Sequence, residues 1–135
     1  MEKRRFVIAL GGNAILPVGL EGTFEQQLKI TRQTMDTVVK LAGQGHEIVM
    51  THGNGPVVGN IVLRGDAGQA LHGIPAMPMF VCGADSQGGL GYMLQQALQN
   101  SLKAAGLKKP VASVVTQVRV DPADPAFENP TKPIG

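Results

Sequence analysis

The spacing of apolar positions changes several times along the chain, and each change predicts an element. Phe6-Val7-Ile8-Ala9-Leu10 is an unbroken apolar run with β-branched residues, stopped by Gly11-Gly12. It predicts a strand buried on both faces, as in a parallel sheet. Thr23 and Gln26 have the spacing of a capping box at a helix start. Leu28, Thr31, Met35, Val38, Val39 and Ala42 then share one helical face, which Gly43 and Gly45 end. Ile48-Val49-Met50 predicts a second strand, leading into Thr51-His52-Gly53-Asn54-Gly55-Pro56. Pro56 suits a first helical turn, so a helix carrying Val57, Val58, Ile61 and Val62 is expected from there. Glycines and prolines over residues 65–80 predict a connection. Leu90, Met93, Leu94, Ala97, Leu98, Leu102 and Ala105 mark a long helix, with Asp85 or Ser86 as its cap. Val111 to Val120 is valine-rich and predicts a strand. Pro122, Pro125, Pro130 and Pro133 predict an extended or looping segment beyond it.

The resulting order is strand, helix, strand, helix, helix, strand, with connections long enough for right-handed crossovers. That is an α/β fold with a mainly parallel sheet between helical layers. Composition agrees: 43% of the 135 residues are hydrophobic and 16% charged, so the chain can bury a core. A net charge of +2 is too even for a strongly basic nucleic-acid binder, so no nucleic-acid partner is expected. No apolar run approaches the ~20 residues of a membrane helix. The single cysteine excludes an internal disulfide framework and fits a reducing, cytoplasmic setting.

Two glycine-rich loops each follow a strand and precede a helix: Gly11-Gly12-Asn13-Ala14 and His52-Gly53-Asn54-Gly55-Pro56. In open α/β sheets ligands bind at the carboxyl ends of the strands, so both loops are expected at one edge. Small residues let backbone N–H groups approach an anion, and the amides of Asn13 and Asn54 can donate to its oxygens. The alternative is that the glycines merely turn the chain out of each strand. Neither loop carries the dinucleotide or Walker pattern. His46, His52, His72 and Cys82 fit no zinc spacing, His46 is expected partly exposed at a strand entrance, and Cys82 is expected as a buried structural thiol. Met77, Met79, Phe80 and Met93 are expected in core or interface packing. The Gly88, Gly89 and Gly91 cluster suggests close approach of another backbone, and Asp121 and Asp124 a turn.

The blocks Val7-Ile8-Ala9-Leu10-Gly11-Gly12-Asn13-Ala14 and Thr51-His52-Gly53-Asn54-Gly55-Pro56-Val57-Val58-Gly59-Asn60 resemble the carbamate kinases of the amino acid kinase superfamily. Further matches are Gln87-Gly88-Gly89-Leu90-Gly91-Tyr92, Val120-Asp121-Pro122-Ala123-Asp124 and Asn129-Pro130-Thr131-Lys132-Pro133-Ile134-Gly135. The resemblance spans essentially the whole chain with its blocks in order. It implies a three-layer αβα fold and reversible phosphoryl transfer between carbamoyl phosphate and ADP, giving ATP and carbamate, with Mg²⁺ accompanying the nucleotide. By the same resemblance Gly11, Gly12 and Asn13 approach the transferred phosphoryl group, with Gly12 and Asn13 catalytic. Gly53 and Asn54 hold the carbamate, Lys132 reaches over the site from a protruding subdomain, and the protein forms a homodimer.

Members of the family run to about twice this length. Residues 1–120 therefore correspond to the substrate-binding part of the domain and 121–135 to the start of the protruding subdomain. The adenine pocket, the metal-coordinating carboxylate and further lysines are expected in the absent half, and the 135-residue chain alone is expected to be inactive. Two other readings stand beside this one. One is a kinase of the same superfamily acting on an acidic amino acid or UMP, which the second loop disfavours. The other is a non-catalytic truncated fragment that associates through its open edge.

Overall fold

The structure is a computed structural model that describes residues 2–17 and 19–131. Strand β1 (Arg5–Leu10) and strand β2 (Glu47–His52) pair in parallel, from Arg5 opposite Glu47 to Leu10 opposite His52. Helix α1 (Phe24–Gly43) is the crossover that a parallel pair requires. Its start is the expected capping box: the Gln26 N–H donates to Thr23 Oγ1, and the Thr23 N–H to Gln26 Oε1, both at 3.3 Å. Its end is set by Gly45, whose φ of 89° is in the left-handed region that glycine tolerates. Helix α2 (Gly55–His72) and helix α3 (Met79–Ala104) follow, packed against each other.

Thr31, Met35, Val38 and Ala42 of α1 are buried against Leu94, Ala97, Leu98 and Leu102 of α3, with Leu10 of the sheet joining them. Each large side chain so buried contributes roughly 1.5–3 kcal/mol. A second cluster, Ile15, Leu90 and Met93, lies directly beneath the first loop. The α/β class and parallel pairing are as expected. Of the three expected layers, the described residues build the sheet and the helical layer on one face. Burial along β1 accordingly alternates instead of being continuous: Ile8 and Leu10 face the helices, while Val7 is 69% exposed.

Three expected boundaries are corrected. Helix α2 runs on through Gly65 and Gly68 to His72, because the returning segment packs onto those glycines, with Ala76 3.8 Å from a Cβ built at Gly65. The connection is thus only Gly73 to Pro78. Helix α3 begins at Met79 with Pro78 as its N-cap, so Asp85 and Ser86 lie inside the helix and cap nothing. Residues 111–120 form no ladder among the described residues. They run extended along α3, held by a stripe of positions four apart: Gln87, Gly91, Gln95 and Gln99. Gln99 Oε1 accepts from the Val111 N–H at 3.2 Å, Gln95 Nε2 donates to the Val111 carbonyl at 3.0 Å, and Gln87 Oε1 accepts from the Thr116 N–H at 2.8 Å. Gly91 leaves room for Ser113, 3.3 Å from where a Cβ would be, and the Ser113 hydroxyl donates to the Gly91 carbonyl. The backbone approach expected at the glycine cluster is thus not what is seen among the described residues. A serine side chain approaches Gly91, nothing lies within 4 Å of a Cβ built at Gly88 or Gly89, and all three lie inside the helix.

Smaller expectations divide. Asp121 and Asp124 shape turns, their carboxylates accepting from the Ala123 and Ala126 N–H groups. Cys82 and Met93 are buried, whereas Met77, Met79 and Phe80 are exposed. His46 is buried, not partly exposed: Phe6 packs edge-on against its ring and its Nδ1 accepts from the Arg4 N–H at 3.3 Å. No helix among the described residues is long and apolar enough to cross a membrane.

Candidate functional site

The strand register brings the two glycine-rich loops together. Leu10 and His52 are partners in the ladder, so Gly11 and Gly53 leave adjacent strands at the same level, and the Gly53 N–H donates to the Leu10 carbonyl at 3.1 Å. The first loop closes into a 3-10 turn, Gly12–Ala14, with the Ala14 N–H on the Gly11 carbonyl and the Ile15 N–H on the Gly12 carbonyl, both at 3.0 Å. The opening N–H groups of such a turn have no partner inside it. The second loop runs directly into α2. Asn54 is the N-cap residue there, but its side chain makes no capping bond.

Gly12, Ile15 and Leu16 from the first loop face Gly53 to Val57 from the second across a cleft, with Leu90 of α3 beside it. Its volume of about 10 Å³ is near that of one water, too small among the described residues to enclose a substrate. A wider, open groove of about 310 Å³ between α1 and α3 is lined by Arg32, Asp36, Asn100 and Ser101. It lies elsewhere, since ten residues of helix, about 15 Å, separate Leu90 from Asn100. The strand ends, where both loops turn, are therefore the candidate site.

The glycines bear on the two readings, turn or site. Gly11, Gly12, Gly53 and Gly55 all lie outside the positive-φ region. Among the described residues a Cβ built at any of them meets nothing within 4 Å. Neither backbone conformation nor packing among those residues therefore requires glycine at these positions. What glycine still offers there is access to the backbone.

Of the expected site residues, the structure brings Gly12, Gly53 and Asn54 to one cleft and puts Gly11 at its edge. Lys132 and the side chain of Asn13 lie outside the described residues. The Asn54 side chain is only partly available, because its Nδ2 donates to Ser86 Oγ at 3.1 Å. Ser86, buried in α3, went unnoticed in the sequence except as a cap; a serine among the apolar positions of a helix face was the available signal. The His52 ring stays local, its Nδ1 3.0 Å from the Gly53 carbonyl. Among the described residues no charged side chain lines the cleft. Among the described residues no three His, Cys, Asp or Glu side chains gather to hold a metal. The clearest electrostatic perturbation is at the far end of the sheet. There the hydrogen bond from Lys3, then that from Arg5, holds the exposed Glu47 carboxyl down to about 2 from an ordinary 4.5.

No family model matches the chain. Carbamate kinase from Pyrococcus horikoshii is 54% identical over 131 residues, which is 97% of this chain and 42% of that protein. The solved structure of Giardia carbamate kinase superposes with a TM-score of 0.91 at 42% identity, covering 100% of this chain and 45% of that one. Carbamate kinase from Giardia lamblia bound to AMP-PNP gives a TM-score of 0.87 at 43% identity over 98% of this chain. The chain spans about two fifths of the length of the curated relatives it matches. In sequence and in fold, it is carbamate kinase-like along nearly its whole length.

Proposed function

We propose that the two loops form the substrate wall of a carbamate kinase, an enzyme moving a phosphoryl group between carbamoyl phosphate and ADP to give ATP and carbamate. The observation that carries this reading is the pair of loops at one sheet edge whose glycines serve no internal purpose. Phosphoryl transfer needs positioning and charge stabilisation more than covalent chemistry from the protein. Backbone N–H groups at Gly11, Gly12 and Asn13 suit the transferred phosphoryl oxygens. Gly53 and Asn54 suit the carbamate end. Lys132 supplies the positive charge that the cleft lining lacks.

Residues 1–120 are the substrate-binding part of the domain in this reading, and 121–135 open a subdomain that brings Lys132 over the site. The nucleotide contacts belong to the portion of the relatives that this chain does not span; one such relative has been solved with AMP-PNP. Mg²⁺ would neutralise the nucleotide's phosphates. No carboxylate lines the cleft, so the described residues offer it no ligands and no step is assigned to it. The complete protein is a cytoplasmic homodimer serving arginine and nitrogen catabolism. The 135-residue chain alone provides one wall and no turnover, a view favoured by the small size of the cleft and the bare face bearing Val7 and Val49.

The test measures ATP formed from carbamoyl phosphate, ADP and Mg²⁺. The isolated chain is compared with the same chain joined to the remaining portion of the Pyrococcus horikoshii relative. Activity is expected only in the joined protein. Gly12→Ala and Gly53→Ala in that protein should each lower turnover at least about tenfold, because the added methyl group keeps the substrate away from backbone N–H groups whose complete loss would cost roughly 100- to 1,000-fold. Folding stability should stay equal or rise by roughly 0.4–1 kcal/mol, because the unfolded chain loses freedom. Full activity in both variants would show that the loops are turns and nothing more.

A further inference from the structure

Ser86 is wholly buried in α3, where a hydroxyl is costly unless it is hydrogen-bonded. Its single proton is committed: Ser86 Oγ lies 2.6 Å from the Gly83 carbonyl, which can only accept. Toward Asn54, 32 residues away in sequence and 3.1 Å away in space, Ser86 can therefore only accept. An asparagine amide is ambiguous about which end is nitrogen, and here that ambiguity is removed by Ser86's commitment. The NH2 end of Asn54 must face α3. Asn54 forgoes the capping bond that asparagine ordinarily makes at an N-cap, so its orientation answers to Ser86 and not to its own helix.

We propose that Ser86 is a positioning residue for substrate selection: the chain Gly83 carbonyl, Ser86 hydroxyl, Asn54 amide locks Asn54 so that its Oδ1 is the atom offered to the cleft. An acceptor at that point suits the amino N–H of a carbamoyl group. It offers nothing to a methyl group. The inference rests on the reading of the two loops as the carbamoyl phosphate wall.

The test titrates the 135-residue chain with carbamoyl phosphate and, separately, with acetyl phosphate, which has a methyl group in place of the amino group. Binding is followed by NMR at the backbone amides of Gly12, Gly53 and Asn54. Wild type should prefer carbamoyl phosphate. Ser86→Ala should reduce that preference about three- to tenfold, the value of one neutral hydrogen bond. Asn54→Ala should do the same, and the double variant should fall no further. A purely structural role for Ser86 would weaken both ligands alike, or add to the effect of Asn54→Ala, and either result overturns the proposal. So does equal binding of the two ligands by wild type.

Binding of neither ligand would count against the loop reading itself. The lock is then judged on the Asn54 side-chain amide alone, expected rigid in wild type and mobile in Ser86→Ala, with no change overturning it. Should Ser86→Ala not fold, Ser86→Cys keeps a side chain of the same branching, slightly larger, weakens the acceptor and must shift both readouts in the same direction.

Discussion

Residues 6–10 and residues 111–120 both carry β-branched side chains and are opposite in fate. The first is wholly apolar, the second mixes five valines with Ser113, Thr116, Gln117 and Arg119. The first pairs residue for residue with β2 and sends Ile8 and Leu10 into the core. The second has no strand beside it among the described residues, and Val118 is 80% exposed. Its backbone still needs partners, and the glutamines of α3 supply them. β-branched composition makes a backbone extended; a ladder also needs a neighbour at the right distance.

The contrast can be broken most forcefully from the core. Met35 has no exposed surface, so Met35→Ala should cost about 2–5 kcal/mol in denaturant unfolding. Val118→Ala, at an exposed position, should stay within about 0.5 kcal/mol. Equal costs would mean that residues 111–120 are as integral as the paired strands. Next in size is Thr31, whose buried hydroxyl has no partner among the described residues. Thr31→Val should raise stability by about 1 kcal/mol, on the scale of relieving an unsatisfied buried group. Gln87→Ala should then release the middle of the held segment, raising hydrogen exchange at the Thr116 N–H about three- to tenfold with no change at Val7 or Val49.

The smallest effect concerns the ion pairs that flank the strand register. The Glu47 pKa is lowered on folding, so its contribution is complete above about 4.5 and fades as pH falls toward about 2. Glu47→Gln should flatten that part of an acid titration of the melting temperature. Added salt should do so partially, since all three side chains are well exposed.

Where local signals agreed with tertiary context, the sequence could be read directly. The capping box and the buried face of α1 depend on residues close together in the chain, and the two loops come to one strand edge by the general rule for parallel strands. The full length of α2 was not legible, because Gly65 and Gly68 look like breakers until Ala76 and Ile74 are seen packing against them. Pro75 and Pro78 suggested a long connection, whereas Pro78 only marks where α3 starts. The segment after Val111 misled for a different reason: its clue lay in Gln87, Gly91, Gln95 and Gln99, a stripe on another element. In the candidate site the glycines were visible at once. The buried serine that holds Asn54 was not, because the bond joins residues 32 positions apart.

Each strand is six residues long, and the two start and finish level. They therefore act as a matched pair of rulers that carry the loops to the same height. Deleting one residue from either strand would lower its loop by about 3.3 Å relative to the other and turn the remaining side chains to the opposite face. The relative height of the two loop backbones is thus written in strand length, several residues away from the loops themselves.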